Sequence, residues 1–228
     1  MKVSYFPGCT LRNKARDLDR NARAIAEALV SSLTVALVSC ALSAVLGTLG
    51  AVGLARARFK GRGALQNVAV LPIMLPEVAV GLAFMTFFSL LGVPFGRLTL
   101  ILAHTTFCIP YVLLNVQARL QGLDPALEEA ARDLGASPQR AFFTVTLPLI
   151  LPAVLSGVLL AFAMSLDDMV ISFFVTGPET TTLPVYIFGK IKTNVPPSIN
   201  ALCSLMLGAT LAVVALSRLV RRGAEKDR

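Results

Sequence analysis

Glu77 and His104 stand inside stretches that carry almost no other charge, and Asp167 and Asp168 stand at the outer end of another. A charge in hydrocarbon is unfavourable, so such groups face a cavity or pathway, or are satisfied by local partners. Carboxylates along a path would compensate a cation as it leaves water. Local uses are equally open: Asp167 and Asp168 can cap a helix near an interface, and Glu77 can cap a helix interrupted by Pro76. His104 reads as a packed, hydrogen-bonded residue rather than a proton carrier.

Catalysis has little to work with in this chain. The sequence suggests no catalytic Ser-His-Asp constellation around the lone His104. No G-x-x-x-x-G-K-[ST] is present, so the chain is not expected to hydrolyse ATP. Cys9, Cys40, Cys108 and Cys203 form no C-x-x-C pair or His/Cys cluster, and the last three fall in apolar runs, where a thiol is a small hydrophobe. No bound metal or cofactor is expected.

The elements that must position these residues are membrane helices. The 228 residues are 55% hydrophobic and 15% charged, against roughly 25% charged in soluble domains, which excludes an ordinary soluble enzyme or a disordered chain. Five runs are apolar enough to cross a bilayer: Leu29 to Ala55, Ala64 to Gly96, Leu98 to Ala118, Ala141 to Leu166 and Thr193 to Ser217. Each reaches the roughly 20 residues that a core of about 30 Å demands. Pro72, Pro76, Pro110, Pro148 and Pro152 lie in or beside the runs, and kinks are expected at some of them.

The net charge of +8 does not call for nucleic acid, because the basic residues sit at the edges of spans. Arg56, Arg58, Lys60 and Arg62 form one cluster, and Arg218, Arg221, Arg222, Lys226 and Arg228 another. Both should be cytoplasmic. Gln121 to Arg140 is then inside, and Gly92 to Arg97 and Gly177 to Lys192 are outside. Five spans put the N-terminus outside, yet residues 1–28 carry Lys2, Arg12, Lys14, Arg16, Arg20 and Arg23 against Asp17, Asp19 and Glu27. A basic segment beside a first span should stay inside, so a sixth span is missing or this segment is foreign to the architecture. It does not have the build of a secretory signal.

The polar stretch 121–140 carries the clearest pattern. Asp124-Pro125 is a helix start and Gly135 a helix stop, predicting a helix over Pro125 to Leu134. Leu127, Ala130, Ala131 and Leu134 share one face of it. So short a helix is not stable alone in water and must dock against something. Ser137-Pro138 starts a second helix that runs on into the membrane.

Glu129-Ala130-Ala131, three residues, Gly135, nine residues, Val145, Thr146 and Leu147-Pro148 resemble the EAA motif of ATP-binding-cassette importer permeases, with Val145 where Ile is usual. The resemblance runs from about Leu29 to the C-terminus and implies an all-α, polytopic membrane bundle of the type I importer permease (MetI-like) fold. It also implies that the first helix of this loop couples to a cleft in a cytoplasmic ATPase dimer, through Leu127, Glu129, Ala130, Ala131, Leu134 and Gly135. A second permease subunit and an external solute-binding protein would complete an importer of the bacterial cytoplasmic membrane, with this chain's C-terminus cytoplasmic and ATP hydrolysed by the partner. Leu71 to Gly81, Leu102 to Val112 and Leu160 to Ile191 look like the second permease of spermidine/putrescine importers. Glu77, Asp167 and Asp168 are its candidate pathway residues.

Such permeases usually begin with one more span than is found here. In its place Ser4 to Leu29 resembles the start of the CCG domain of heterodisulfide-reductase-like proteins, without the cysteines of an iron-sulfur site. Residues 1–28 are accordingly set apart from a permease domain over 29–228, although Asn21 to Ala28 keep helical spacing with the first span. That start also leaves open a membrane anchor for a redox complex, or a permease inactive for want of its first span.

Overall fold

The computed structural model describes residues 7–56, 60–193, 200, 204 and 208. The chain divides into two units, residues 28–185 and residues 1–27 with 186–228. In the second of these, the described residues are helical stretches over 7–27 and 186–193 and the isolated positions 200, 204 and 208, with an Asp19–Arg23 ion pair at 3.0 Å and Lys192 over the Phe188 ring. The expected span Thr193 to Ser217 and the tail Arg218 to Arg228 lie outside the described residues, apart from Thr193 and the isolated positions 200, 204 and 208.

Among the described residues of 28–185 every regular element is helical. Helix α1 (Pro7–Arg56) takes in the first apolar run and is continuous through Asn21 to Ala28. Helices α2 (Arg62–Met74) and α3 (Glu77–Leu90) share the second run, α4 (Arg97–Gln121) is the third, and α5 (Ala126–Asp133) is the polar-loop helix. The fourth run is one helix in three parts: α6 (Pro138–Ala141), a π-helical turn at Phe142–Thr146, and α7 (Leu147–Asp167). Short α8 (Val170–Val175) follows, then α9 (Leu183–Thr193). Among the described residues three helices are long and apolar enough to span a bilayer, and a fourth span results if α2 and α3 count together.

The second run is not one straight span: α2 and α3 meet at 108°. Pro76 explains the break, because its ring forbids a helical N–H bond and pushes the preceding residue into extended backbone. Leu75 obeys, with φ −87° and ψ 148°. By contrast Pro110 and Pro152 are absorbed inside α4 and α7.

Helix α4 is the centre of the bundle. Its buried residues run almost all round it, including Leu100, Ala103, His104, Cys108, Val112 and Val116. Close approach is set by small residues, as expected where lipid supplies no hydrophobic drive between helices. A Cβ on Gly157 of α7 would lie 2.8 Å from the Val112 Cα, and one on Gly47 of α1 would lie 2.9 Å from the Val112 Cβ. Serines on α1 add interhelical bonds: Ser39 Oγ donates to the Ile101 carbonyl at 3.1 Å and Ser43 Oγ to that of Thr105 at 3.0 Å.

The two ends of the bundle are well marked. At one, Arg56 meets α5 and the π turn. At the other, Ser31 Oγ donates to the Thr180 carbonyl, Leu183 N–H donates to Ser32 Oγ, and Gly177 packs against the Phe95 carbonyl with no room for a side chain. Ser32 and Arg56 stand about 36 Å apart along α1 at 1.5 Å per residue, enough to cross a bilayer core. Arg56 and the loop around α5 therefore share one side, and the loops around Phe95 and Thr180 share the other, the alternation that the charges require.

Candidate functional site

The loop between α4 and α6 is built as its residues suggest. Asp124 Oδ1 accepts the Ala126 N–H at 3.0 Å, starting α5. The regular helix is one residue shorter at each end than Pro125 to Leu134, though Pro125 keeps a helical backbone at φ −56°, ψ −28°. Gly135 has φ +85° and closes a Schellman turn, with its N–H on the Arg132 carbonyl at 2.8 Å and the Ala136 N–H on that of Ala131 at 3.1 Å. Ser137 Oγ then accepts the Arg140 N–H at 3.3 Å and starts the next helix.

The apolar stripe of α5 does not cover itself on this chain. Leu127 is 48% exposed and Leu134 89%, and Ala130 is exposed with Glu129 while Ala131 is half-buried. What turns inward is Glu128. Its carboxylate accepts from the Arg56 guanidinium and from Thr146 Oγ1 at 2.9 Å, and Arg132 Nε lies 4.0 Å from its other oxygen. Arg56 also lies 5.3 Å above the Phe142 ring, within cation–π range. Sequence reasoning passed over Glu128 because it falls on the polar face, where a solvated carboxylate is the plain expectation. Its partners are 72 and 18 positions away.

A second centre lies inside the bundle. Asp168 breaks the chain between α7 and α8 with φ −64° and ψ 118°, and caps α8: Oδ1 accepts the Ile171 N–H at 3.2 Å and Oδ2 the Ser172 N–H at 2.8 Å. Ser172 Oγ donates to the same Oδ2 at 2.8 Å. His104 on α4 lies between α7 and α8, with Nε2 2.9 Å from Ser172 Oγ and 3.3 Å from Asp168 Oδ2, and Nδ1 2.7 Å from Ser165 Oγ. Nε2–H can donate toward Ser172 and Asp168 while Nδ1 accepts from Ser165 Oγ, an arrangement that leaves no polar atom of the group without a partner. The cap, one of two uses the sequence left open for Asp168, and the packed, hydrogen-bonded setting of His104 are thus a single network.

Asp167, one residue earlier, is exposed, as is Glu77 in the first turn of α3. The three carboxylates therefore differ in setting: Asp168 is enclosed by its own partners, while Asp167 and Glu77 open outward. Helix α3 leans on α8 where the Phe174 ring covers Gly81, one turn beyond Glu77. Glu77 is thereby tied, through α3 and α8, to the element that Asp168 caps. Among the described residues no group of His, Cys, Asp or Glu is arranged to hold a metal ion.

Residues 23–224 match the family described as "Binding-protein-dependent transport system inner membrane component". The chain is 45% identical over 204 residues to the Putrescine transport system permease protein PotI of Escherichia coli (strain K12), covering 86% of this chain and 73% of that protein. It is 41% identical over 196 residues to the Spermidine/putrescine transport system permease protein PotC of Haemophilus influenzae, covering 86% and 76%. Among solved structures it resembles an amino acid ABC transporter, with a TM-score of 0.66 at 17% identity over 97% of this chain and 99% of that one. A bacterial ABC transporter involved in import of alginate gives 0.64 at 17% identity over 86% and 74%. These two likenesses concern the fold.

Proposed function

The chain belongs to the family of binding-protein-dependent transport system inner membrane components, and from that premise we propose that it is one permease subunit of an ATP-driven polyamine importer. The substrate class rests on relatives named for putrescine and spermidine transport. The observation that carries the coupling role is the build of α5: capped at both ends, held from within by Glu128, and presenting Leu127, Ala130 and Leu134 to the outside. Such a stripe suits a groove in another protein.

In this mechanism an external binding protein delivers the polyamine, and two ATPase subunits close on ATP. They push on α5 here and on its counterpart in a second permease, and the pore changes the side on which it opens. Leu127, Glu129, Ala130, Ala131 and Leu134 make or support the contact, and Gly135 fixes the angle at which the chain leaves it. This chain brings no ATPase chemistry of its own. The Arg56 side is cytoplasmic on the basic cluster 56–62, and the basic tail Arg218 to Arg228 supports a cytoplasmic C-terminus. The polyamine path passes the outward-opening carboxylates Glu77 and Asp167, while Asp168 holds α8. Residues 29–228 form the permease domain and residues 1–28 are set apart on their sequence, while the family match begins at residue 23, within α1.

Cells lacking polyamine uptake and supplied with this chain and its neighbouring genes should take up labelled putrescine or spermidine, and the purified chain should carry an ATPase subunit. Normal amounts of the chain in the membrane with neither result would overturn the assignment. Glu77→Gln removes one charge and little volume, so the KM for uptake should rise several-fold. An unchanged KM would remove Glu77 from the path.

A further inference from the structure

The geometry points to a polar clip, Arg56–Glu128–Thr146, that makes α5, the end of α1 and the start of α7 move as one piece. This rests on the coupling role proposed for α5. Through the backbone, α5 is joined only to α4 and α6, so a push on it reaches those helices directly. Helix α1 has no such link. It is tied in by Arg56, its last residue, whose guanidinium donates to the Glu128 carboxylate and lies 3.4 Å from Thr146 Oγ1.

Close packing does not fill the space beneath α5. A cavity of about 300 Å3 lies there, lined by Ala55, Leu120, Leu123, Pro125 and Val145 together with the clip residues. Across such a gap, directed hydrogen bonds carry the connection that side-chain interdigitation supplies elsewhere. The bonds involve charged groups, which makes them stronger than neutral ones. Glu128 is half-buried, with 24% of its side chain exposed, and Thr146 is buried, while Arg56 is 41% exposed, so water competes less at the carboxylate than at the guanidinium.

The π turn Phe142–Thr146 belongs to the same device. π-helical turns within α-helices recur at functional positions. Here the turn begins with the ring beneath Arg56 and ends with the hydroxyl that donates to Glu128. Both ends of one turn therefore grip the same ion pair. Arg132, one turn after Glu128 on α5, steadies the carboxylate from the helix side.

The test is a double-mutant cycle on the assembled importer in proteoliposomes, reading polyamine uptake per ATP hydrolysed. Arg56→Ala and Glu128→Ala should each lower that ratio at least fivefold while the complex still assembles. The double variant should fall no further than the worse single, because both remove one connection. An unchanged ratio in either single, or losses that multiply in the double, would overturn the clip. Should Glu128→Ala fail to assemble, Glu128→Gln carries the test, with a ratio lowered about twofold expected and an unchanged ratio contradictory. If the unaltered complex shows no ATP-dependent uptake, the coupling role itself fails, a result distinct from coupled variants beside a coupled parent.

Discussion

Replacing Gly135 by valine should reduce ATP-driven uptake at least tenfold while leaving the chain in the membrane at its normal amount. The residue has φ +85°, where a β-branched side chain is a genuine outlier and the left-handed conformation costs an L-residue about 1–2 kcal/mol. No atom lies within 4 Å of where a Cβ would sit, so the damage is conformational and not a collision. Escape from that backbone angle breaks the two Schellman bonds, and α5, at eight residues, has no length to absorb the loss. Leu134 then leaves the stripe. Gly135→Asn provides the control, since Asn tolerates the left-handed region, and it should keep at least half the uptake. Equal loss in both variants would mean that the backbone angle is not what matters. Uptake assays paired with membrane immunoblots give the answer.

Asp168→Ala should be among the most damaging single changes to the fold. The carboxylate accepts two backbone N–H groups and the Ser172 hydroxyl, and its oxygen lies 3.3 Å from His104 Nε2. Removing it leaves buried donors without their acceptor, at about 1–3 kcal/mol for each group that finds no other partner. With 3% of the Asp168 side chain exposed and 2% of that of His104, water cannot replace what is lost. Helix α8 has six residues and no other side-chain cap, so it should loosen, and with it the Phe174 contact that steadies α3. The melting temperature of the purified chain in detergent should fall by on the order of 10 °C, scaled from soluble domains of similar size. His104→Ala should give a smaller fall, because the two backbone N–H bonds of the cap survive. A melting temperature unmoved by Asp168→Ala would show that the network does not hold the bundle.

Much of the loop 121–140 is legible in the sequence because its signals are local. Asp124, Pro125, Gly135, Ser137 and Pro138 each act on backbone groups within four residues, so the loop reads directly from their order. The break at Pro76 is of the same kind. Length and apolarity located four of the five runs on helices, and the fifth falls outside the described residues. What escaped depends on partners distant in sequence. Glu128 reaches Arg56 across 72 positions and His104 reaches Asp168 across 64, and no periodicity signals either meeting. The π turn left no mark, because Phe142 to Thr146 reads as ordinary helix. Glu77, Asp167 and Asp168 looked alike as carboxylates in apolar runs, and only the folded surroundings separate the enclosed one from the two that face outward.

The central claim is that α5 lies on the cytoplasmic side and seats its apolar stripe in the ATPase. It is tested most directly by Leu134→Cys in a chain whose native cysteines are replaced by alanine. Residue 134 is 89% exposed, so a membrane-impermeant maleimide should label it in inside-out vesicles stripped of ATPase, and the label should be lost when the ATPase subunit is added back. No labelling is expected in right-side-out vesicles. Labelling from the outer face, or labelling that the ATPase leaves undiminished, would contradict the account.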